Sequence, residues 1–194
     1  MDQFIRNFKV KQINTEILDN TTELNEILTK YTKNLRNWSA EQVTYDFEII
    51  VLTETWKIEN LDLFSLKGYN ITYNEGNLNQ NDGVVLLIKE GISYEYILEN
   101  IFETKVIRAK VNIEDTMVDI LCIYKSPTLN NKDFLEHLDY YLGNKHFRSN
   151  INIIVGDINI DLLANDNISN EYLNIMSEHN FLPTINRITR NESK

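Results

Sequence analysis

FEIIVLT at residues 47–53, closed by Glu54, is the stretch on which the reading of the fold turns. Its apolar, largely β-branched side chains run almost without interruption, which predicts a strand covered on both faces rather than one half open to water. A second run, Ile151 to Val155, has the same character and ends at Gly156-Asp157. Each run therefore delivers one acid, Glu54 or Asp157, to the loop beyond a buried strand, where a carboxylate must face water or a cation. A lone acid in such a place is ordinarily a solvated turn residue. Two in matching positions mark a candidate site, because ligands in α/β architectures gather beyond strand ends.

Outward from these runs the chain divides into recognisable elements. Phe8 to Ile13 predicts a short strand, followed by Asn14. Asn20 with Glu23 resembles a capping box, and Leu24, Ile27, Leu28, Tyr31 and Leu35 recur at helical spacing. From Tyr69 to Tyr124 shorter segments broken by turn residues predict antiparallel pairing. Ile107, Ala109, Val111 and Ile113 alternate with Arg108, Lys110 and Asn112, and the turn Glu114-Asp115-Thr116 returns the chain into MVDILCIY as a hairpin. Phe134, Leu135, Leu138, Tyr141 and Leu142 share one face of a helix stopped at Gly143-Asn144. A last helix spans Glu171 to Glu178, with Asn180 as its stop. Mixed sheets with helices packed outside are the expected α/β class.

The chain has 194 residues, 42% of them hydrophobic, which suits a single domain over residues 1–194 with one core. No apolar run approaches the roughly 20 residues that cross a bilayer, and the start MDQFIRNFKVKQ lacks a secretory signal. A soluble, intracellular protein with no membrane contact and no evident obligate protein partner is expected. The lone Cys122 excludes an internal disulfide and a Cys-rich zinc site, and reads as a small core residue. With 19 basic residues against 29 acidic ones the formal charge is -10, which argues against coating nucleic acid through a broad cationic surface. It leaves room for an enzyme that grips phosphate through a hard cation such as magnesium.

The motifs carry a resemblance. LTETW at 52–56, DGVVLLIK at 82–89, IYKSP at 123–127 and IIVGDINIDLL at 153–163 stand in the order found in the endonuclease/exonuclease/phosphatase superfamily. Within it the chain resembles the endonuclease domain of non-LTR retrotransposons, from about Phe8 to Arg190, with QINTEI around Asn14, EYLN at 171–174 and NRITR at 186–190 as weaker matches. The resemblance implies a DNase I-like α/β fold, two mixed β-sheets packed as a sandwich with helices on the outer faces. It implies Mg²⁺- or Mn²⁺-dependent nicking of DNA, and a nuclear location if the chain is part of an active retroelement. By the same resemblance Glu54 matches the metal-binding glutamate, Asp157 the acid that orients the attacking water, and Asn159 the asparagine that positions water and phosphate. Asn14 matches an asparagine that helps hold the metal network, and Tyr124 a phenol that hydrogen-bonds the scissile phosphate. Lys125 stands where arginine is common, and Thr189 and Arg190 match a terminal TR expected near the DNA backbone.

Each assignment has a plain competitor. Asn14 can simply end a strand, Tyr124 can be a core aromatic, and Trp38 and Trp56 read as packing residues rather than base-stacking platforms. Asp161 reads as a loop or helix-start acid. Family members continue to an Asp-His element, whereas this chain stops at Asn191-Glu192-Ser193-Lys194. None of His137, His146 and His179 sits in such a pair. The expectation is thus a domain cut off before its last strands and impaired in activity. Two further readings stand beside it: a phosphodiesterase or phosphatase of another branch, and a catalytically dead remnant or binding module of a degraded retroelement.

Overall fold

Both apolar runs become strands, one in each of two facing sheets: among the described residues the first is interior and fully buried, whereas the second, expected to be buried, is a half-buried edge strand. The structure, a computed structural model, describes residues 10–14, 47–55, 66–74, 82–145 and 151–184. The helix expected over Asn20 to Leu35, together with Trp38, Trp56, His146, Thr189 and Arg190, lies outside the described residues. In chain order the strands are β1 (Val10–Asn14), β2 (Ile49–Thr53), β3 (Tyr69–Asn74), β4 (Val84–Lys89), β5 (Ser93–Ile101), β6 (Thr104–Ile113), β7 (Thr116–Tyr124) and β8 (Ile151–Asp157). Helix α1 (Asn131–Asn144) connects β7 to β8, and α2 (Asn167–Glu178) follows β8. Among the described residues the strands form one sheet of order β1-β2-β4-β3 and a second of order β5-β6-β7-β8. β1 with β2 and β7 with β8 pair in parallel and the other pairs are antiparallel, so both sheets are mixed as expected. Among the described residues no helix is long and apolar enough to cross a membrane.

Three apolar layers explain the composition of the strands. Between the sheets, Ile49, Val51, Val84, Leu86 and Ile88 meet Ile107, Ala109, Val111, Ile120 and Cys122. The opposite faces of β2 and β4 carry Ile50, Leu52, Val85 and Leu87, packed with Phe47, Leu66 and Tyr69. Both strands are therefore buried on two sides, which is why FEIIVLT and VVLLIK do not alternate. On the far side of the second sheet, Leu121 and Ile123 pack under Phe134, Leu135 and Leu138 of α1 and Ile175 and Met176 of α2.

Local signals set most element ends. Glu114 and Asp115, with φ of 46° and 64°, make the tight β6–β7 turn in the left-handed backbone that such hairpins require. Asn130 caps α1 by accepting from the Lys132 N–H at 2.8 Å. α2 starts before the expected Glu171, because the Asp166 carboxylate accepts from the Ser169 N–H at 2.8 Å and caps the helix there.

Arg108, which alternates with the apolar residues of β6, is buried on the face that α1 covers. Its guanidinium grips Asp119 of β7 with two bonds, Nε to Oδ1 at 2.9 Å and Nη2 to Oδ2 at 2.7 Å. These bonds hold the guanidinium above its already high ordinary pKa. Beside the pair, Glu99 of β5 accepts from the Tyr141 hydroxyl and the Lys145 ammonium of the α1 end, which ties the edge strand to the helix. Removing one member of a buried, doubly bonded pair strands the other charge. Asp119→Ala is expected to destabilise the protein by about 3 to 5 kcal/mol, while a double replacement by apolar residues of similar volume recovers most of that loss, as measured by urea unfolding.

Candidate active site

Strand register gathers the expected residues at one end of the sandwich. In the first sheet Asn14 lies opposite Thr53, Thr53 opposite Val84, and Val84 opposite Asn74, so Asn14, Glu54, Asp82 and Asn74 all belong to the same rim. In the second sheet Tyr124 lies opposite Asp157. β2 lies over β7 and β8, which brings the two rims together. Glu54 and Asp157 thus stand on the same rim, one from each sheet, and both lie within the electrostatic reach of Tyr124.

The pleat decides which side chains point inward. On β8, Ile151, Ile153 and Val155 face the first sheet, and Asp157 continues that alternation. Tyr124 follows Val118, Ile120 and Cys122 on the same side of β7, and its hydroxyl donates to Glu54 Oε1 at 3.2 Å. This bond spans the sandwich. Burial, and then the carboxylates of Glu54, Asp82 and Asp157, push the Tyr124 phenol well above its usual pKa, so it stays protonated and acts as a donor. Glu54 is 5% exposed and sits at a φ of 57°, a left-handed conformation unusual for a glutamate, which turns the chain sharply at the end of β2.

Asp157 and Asn159 are fixed by their own loop. The Asn159 N–H donates to Asp157 Oδ1 at 2.9 Å, and Asn159 Nδ2 donates to the Lys125 carbonyl at 2.8 Å. Asn159 adopts a φ of 48°, which asparagine tolerates better than most residues. The Lys125 N–H donates to the Asp157 carbonyl at 2.8 Å, extending the β7–β8 ladder past the end of β7. Gly156 makes this approach possible: a Cβ there would lie 1.7 Å from the Ile123 carbonyl oxygen.

Lys125 itself goes elsewhere. One residue past Tyr124 the pleat points the opposite way, so the side chain enters the helix-covered layer, where it is 0% exposed. Its ammonium lies 5.8 Å from the Phe134 ring centroid and donates to the Ser126 carbonyl at 3.2 Å. Burial lowers its pKa, while the Asp157 carboxylate acts in the other direction. The expected phosphate contact is therefore not formed by an exposed ammonium here. Thr189 and Arg190 lie outside the described residues. His137 and His179 belong to α1 and to the end of α2, as their sequence context indicates.

Asp82 was not legible as a site residue, because NQNDG reads as a turn. It is 7% exposed and stands beside Glu54, since β2 and β4 are neighbours. The available signal was the acid placed directly before a wholly apolar strand. Asn74 is also drawn in: its Nδ2 donates to the Val106 carbonyl at 2.9 Å and ties the two sheets beneath the rim.

These donors are carboxylate, amide and phenol groups without sulfur, a set suited to a hard divalent cation. Among the described residues no three His, Cys, Asp or Glu side chains close into a ready-made cage. That is compatible with magnesium, which keeps several waters and needs only one or two carboxylates.

Similarity to solved structures identifies the architecture. The endonuclease domain of TRAS1, a telomere-specific non-LTR retrotransposon, aligns with a TM-score of 0.56 at 11% identity over 89% of this chain and 72% of that one. An endonuclease/exonuclease/phosphatase family protein from Leptotrichia buccalis gives 0.54 at 13% identity over 87% and 72%. The chain has the DNase I-like fold. Sphingomyelinase C from Streptomyces griseocarneus shares this DNase I-like arrangement with a TM-score of 0.59 at 18% identity over 87% of this chain and 69% of that one. Neither a protein-family model nor a curated protein sequence matches the chain.

The Gly156 contact yields a test of the site's framework. Gly156→Ala must push β8 away from β7 and is expected to destabilise by about 3 kcal/mol or more. Thermal unfolding measures it, with Gly68→Ala as a reference that meets no neighbouring atom within 4 Å.

Proposed function

We propose that the chain hydrolyses phosphodiester bonds with a divalent cation, Mg²⁺ or Mn²⁺, as a DNA-nicking endonuclease domain of the non-LTR retrotransposon type. The observation that carries this reading is the Tyr124–Glu54 hydrogen bond, set against Asp157 and Asn159 where the two sheets meet. Glu54, with Asn14 on the same rim, would hold the cation. When bound, that cation supplies charge neutralisation at the phosphoryl oxygens.

The chain's own groups divide the remaining work. Asp157 is a carboxylate oriented by the Asn159 N–H and serves to position and deprotonate the attacking water. Asn159 is anchored through its Nδ2 to the Lys125 carbonyl, which leaves its side-chain oxygen as an acceptor for that water. Tyr124 remains a phenol and donates to a non-bridging phosphate oxygen in exchange for its bond to Glu54. Asp82, buried behind Tyr124 and Glu54, adds negative potential that keeps the phenol protonated. Thr189 and Arg190 are proposed contacts to the DNA backbone.

A second reading, hydrolysis of a small phosphodiester, is supported by the net charge of -10 and by the interior position of Lys125. Both remove cations that a long polyanion would use.

Tyr124→Phe and Asp157→Ala are each expected to lower Mg²⁺-dependent cleavage by about 100- to 1,000-fold, and Glu54→Gln to weaken Mn²⁺ binding measured by calorimetry. Supercoiled plasmid and bis(p-nitrophenyl) phosphate serve as parallel substrates. Cleavage of the small substrate alone selects the second reading. Activity that survives Asp157→Ala, or metal binding indifferent to Glu54→Gln, refutes the site.

A further inference from the structure

The turn of the β5–β6 hairpin contains a residue that the backbone does not favour. Ile101 lies opposite Thr104, leaving Phe102 and Glu103 as the two central residues. Phe102 has a φ of 54°. A two-residue hairpin with positive φ at its first central residue ordinarily places glycine there. A bulky aromatic in that position is strained, and strain of this kind persists where it serves a purpose.

Core packing does not supply the purpose. The neighbouring Ile101 fills the core beneath the helices, whereas Phe102 is 36% exposed. Its ring rests instead on His137 of α1, with centroids 4.7 Å apart and planes inclined at 33°. The His137 ring is itself held, because Nδ1–H donates to the Asp133 carbonyl at 2.8 Å. The result is a partly exposed aromatic ring braced by His137.

Its location connects it to the rim. Val106 lies opposite Ile123, so the turn sits beyond the same end of the second sheet from which Tyr124 and Asp157 reach the site. Strand spacing places Phe102 roughly 10 to 15 Å from Tyr124. A net charge of -10 denies a polyanion much Coulombic attraction, so a substrate gripped here needs an uncharged contact. A neutral ring offers one by stacking on the π-face of a base, which works for any base that is not already stacked in a duplex.

We propose that Phe102, braced by His137, is a stacking platform for an unpaired nucleobase flanking the phosphodiester in the candidate site. The proposal rests on the nucleic-acid reading given above and names the form of substrate that the site prefers: single-stranded or locally unpaired. Phe102 is a binding residue and not part of the chemistry.

The test uses short single-stranded oligonucleotides carrying 2-aminopurine, whose fluorescence falls when the base stacks. Binding is measured without divalent metal, so it does not depend on cleavage. Wild type and Phe102→Trp are expected to quench the probe and bind alike. Phe102→Gly is expected to lose the quench and to weaken binding by on the order of 10-fold. Because glycine suits the turn, its thermal midpoint should equal or exceed that of wild type, which separates lost stacking from lost folding. A Phe102→Gly protein that binds and quenches as wild type does, or a wild type that never quenches, overturns the platform. Quenching through Phe102 without any metal-dependent cleavage would keep the platform and refute the hydrolase. Cleavage of bis(p-nitrophenyl) phosphate without quenching would do the reverse.

Discussion

The pleat of the second sheet is the constraint on which the site depends. Successive side chains of a strand leave on opposite faces, so β7 sends Cys122 and Tyr124 toward the first sheet and Ile123 and Lys125 toward the helices. β8 obeys the same parity, and Asp157 emerges on the Tyr124 side. A slip of one residue in the β7–β8 register would reverse the faces of the edge strand β8 and turn Asp157 away from the Tyr124 side. Gly156 secures that register, because only a residue without a Cβ lets β8 run this close to the Ile123 carbonyl.

Electrostatics bear on how so acidic a chain could serve the proposed anionic substrate. Glu54, Asp82 and Asp157 all raise the pKa of Tyr124, and Glu54 and Asp82 are nearly excluded from water. Carboxylates crowded in this way are costly in a low-dielectric setting unless something positive stands among them. Lys125 is the nearest described cation in sequence, but its ammonium is turned toward Phe134 and reaches Asp157 only through the field. Under the proposed function a cation drawn from solution would offset this crowding, and an incoming phosphate would meet that cation rather than the carboxylates; the oxygen-only donor set suits hard divalent ions.

Much of this was legible beforehand, and the failures have physical causes. FEIIVLT and the GD-x-N segment announced two strands ending in acids, and the acids stand on one rim, but only β2 is buried and interior, while β8 is a half-buried edge strand among the described residues. The hairpin at Glu114-Asp115 and the apolar face of α1 followed from turn chemistry and helical spacing. The burial of Arg108 had no local signature, because it depends on the covering helix and on Asp119 eleven residues away. The interior position of Lys125 has a related cause: its chemistry suits phosphate, but side-chain direction depends on strand parity, and a motif carries none of that. Asp82 was hidden by its turn. The strand pairing that sets it beside Glu54 joins β2 to β4 across an intervening strand in sequence, a contact with no local signature.

Positive-φ residues stand at both ends of the second sheet. Glu114 and Asp115 adopt it because their two-residue hairpin requires it, and Asn180 does so at a helix end; aspartate and asparagine tolerate that region better than most residues. At the other end of the β6–β7 hairpin the pattern changes: Glu54, Phe102 and Asn159 are left-handed there, with Gly83 and Gly156 between them in the fold. A glutamate and a phenylalanine in such backbone each cost on the order of 1 to 3 kcal/mol. The rigid sandwich below, with its apolar layers and the Arg108–Asp119 pair, offsets that cost. Apart from Glu114 in its hairpin turn, the described residues that are neither glycine, aspartate nor asparagine and take left-handed backbone thus lie at the edge of the candidate site. Relaxing Glu54 into extended backbone would carry its carboxylate out of reach of Tyr124, so the unfavourable dihedral and the hydrogen bond across the sandwich stand or fall together.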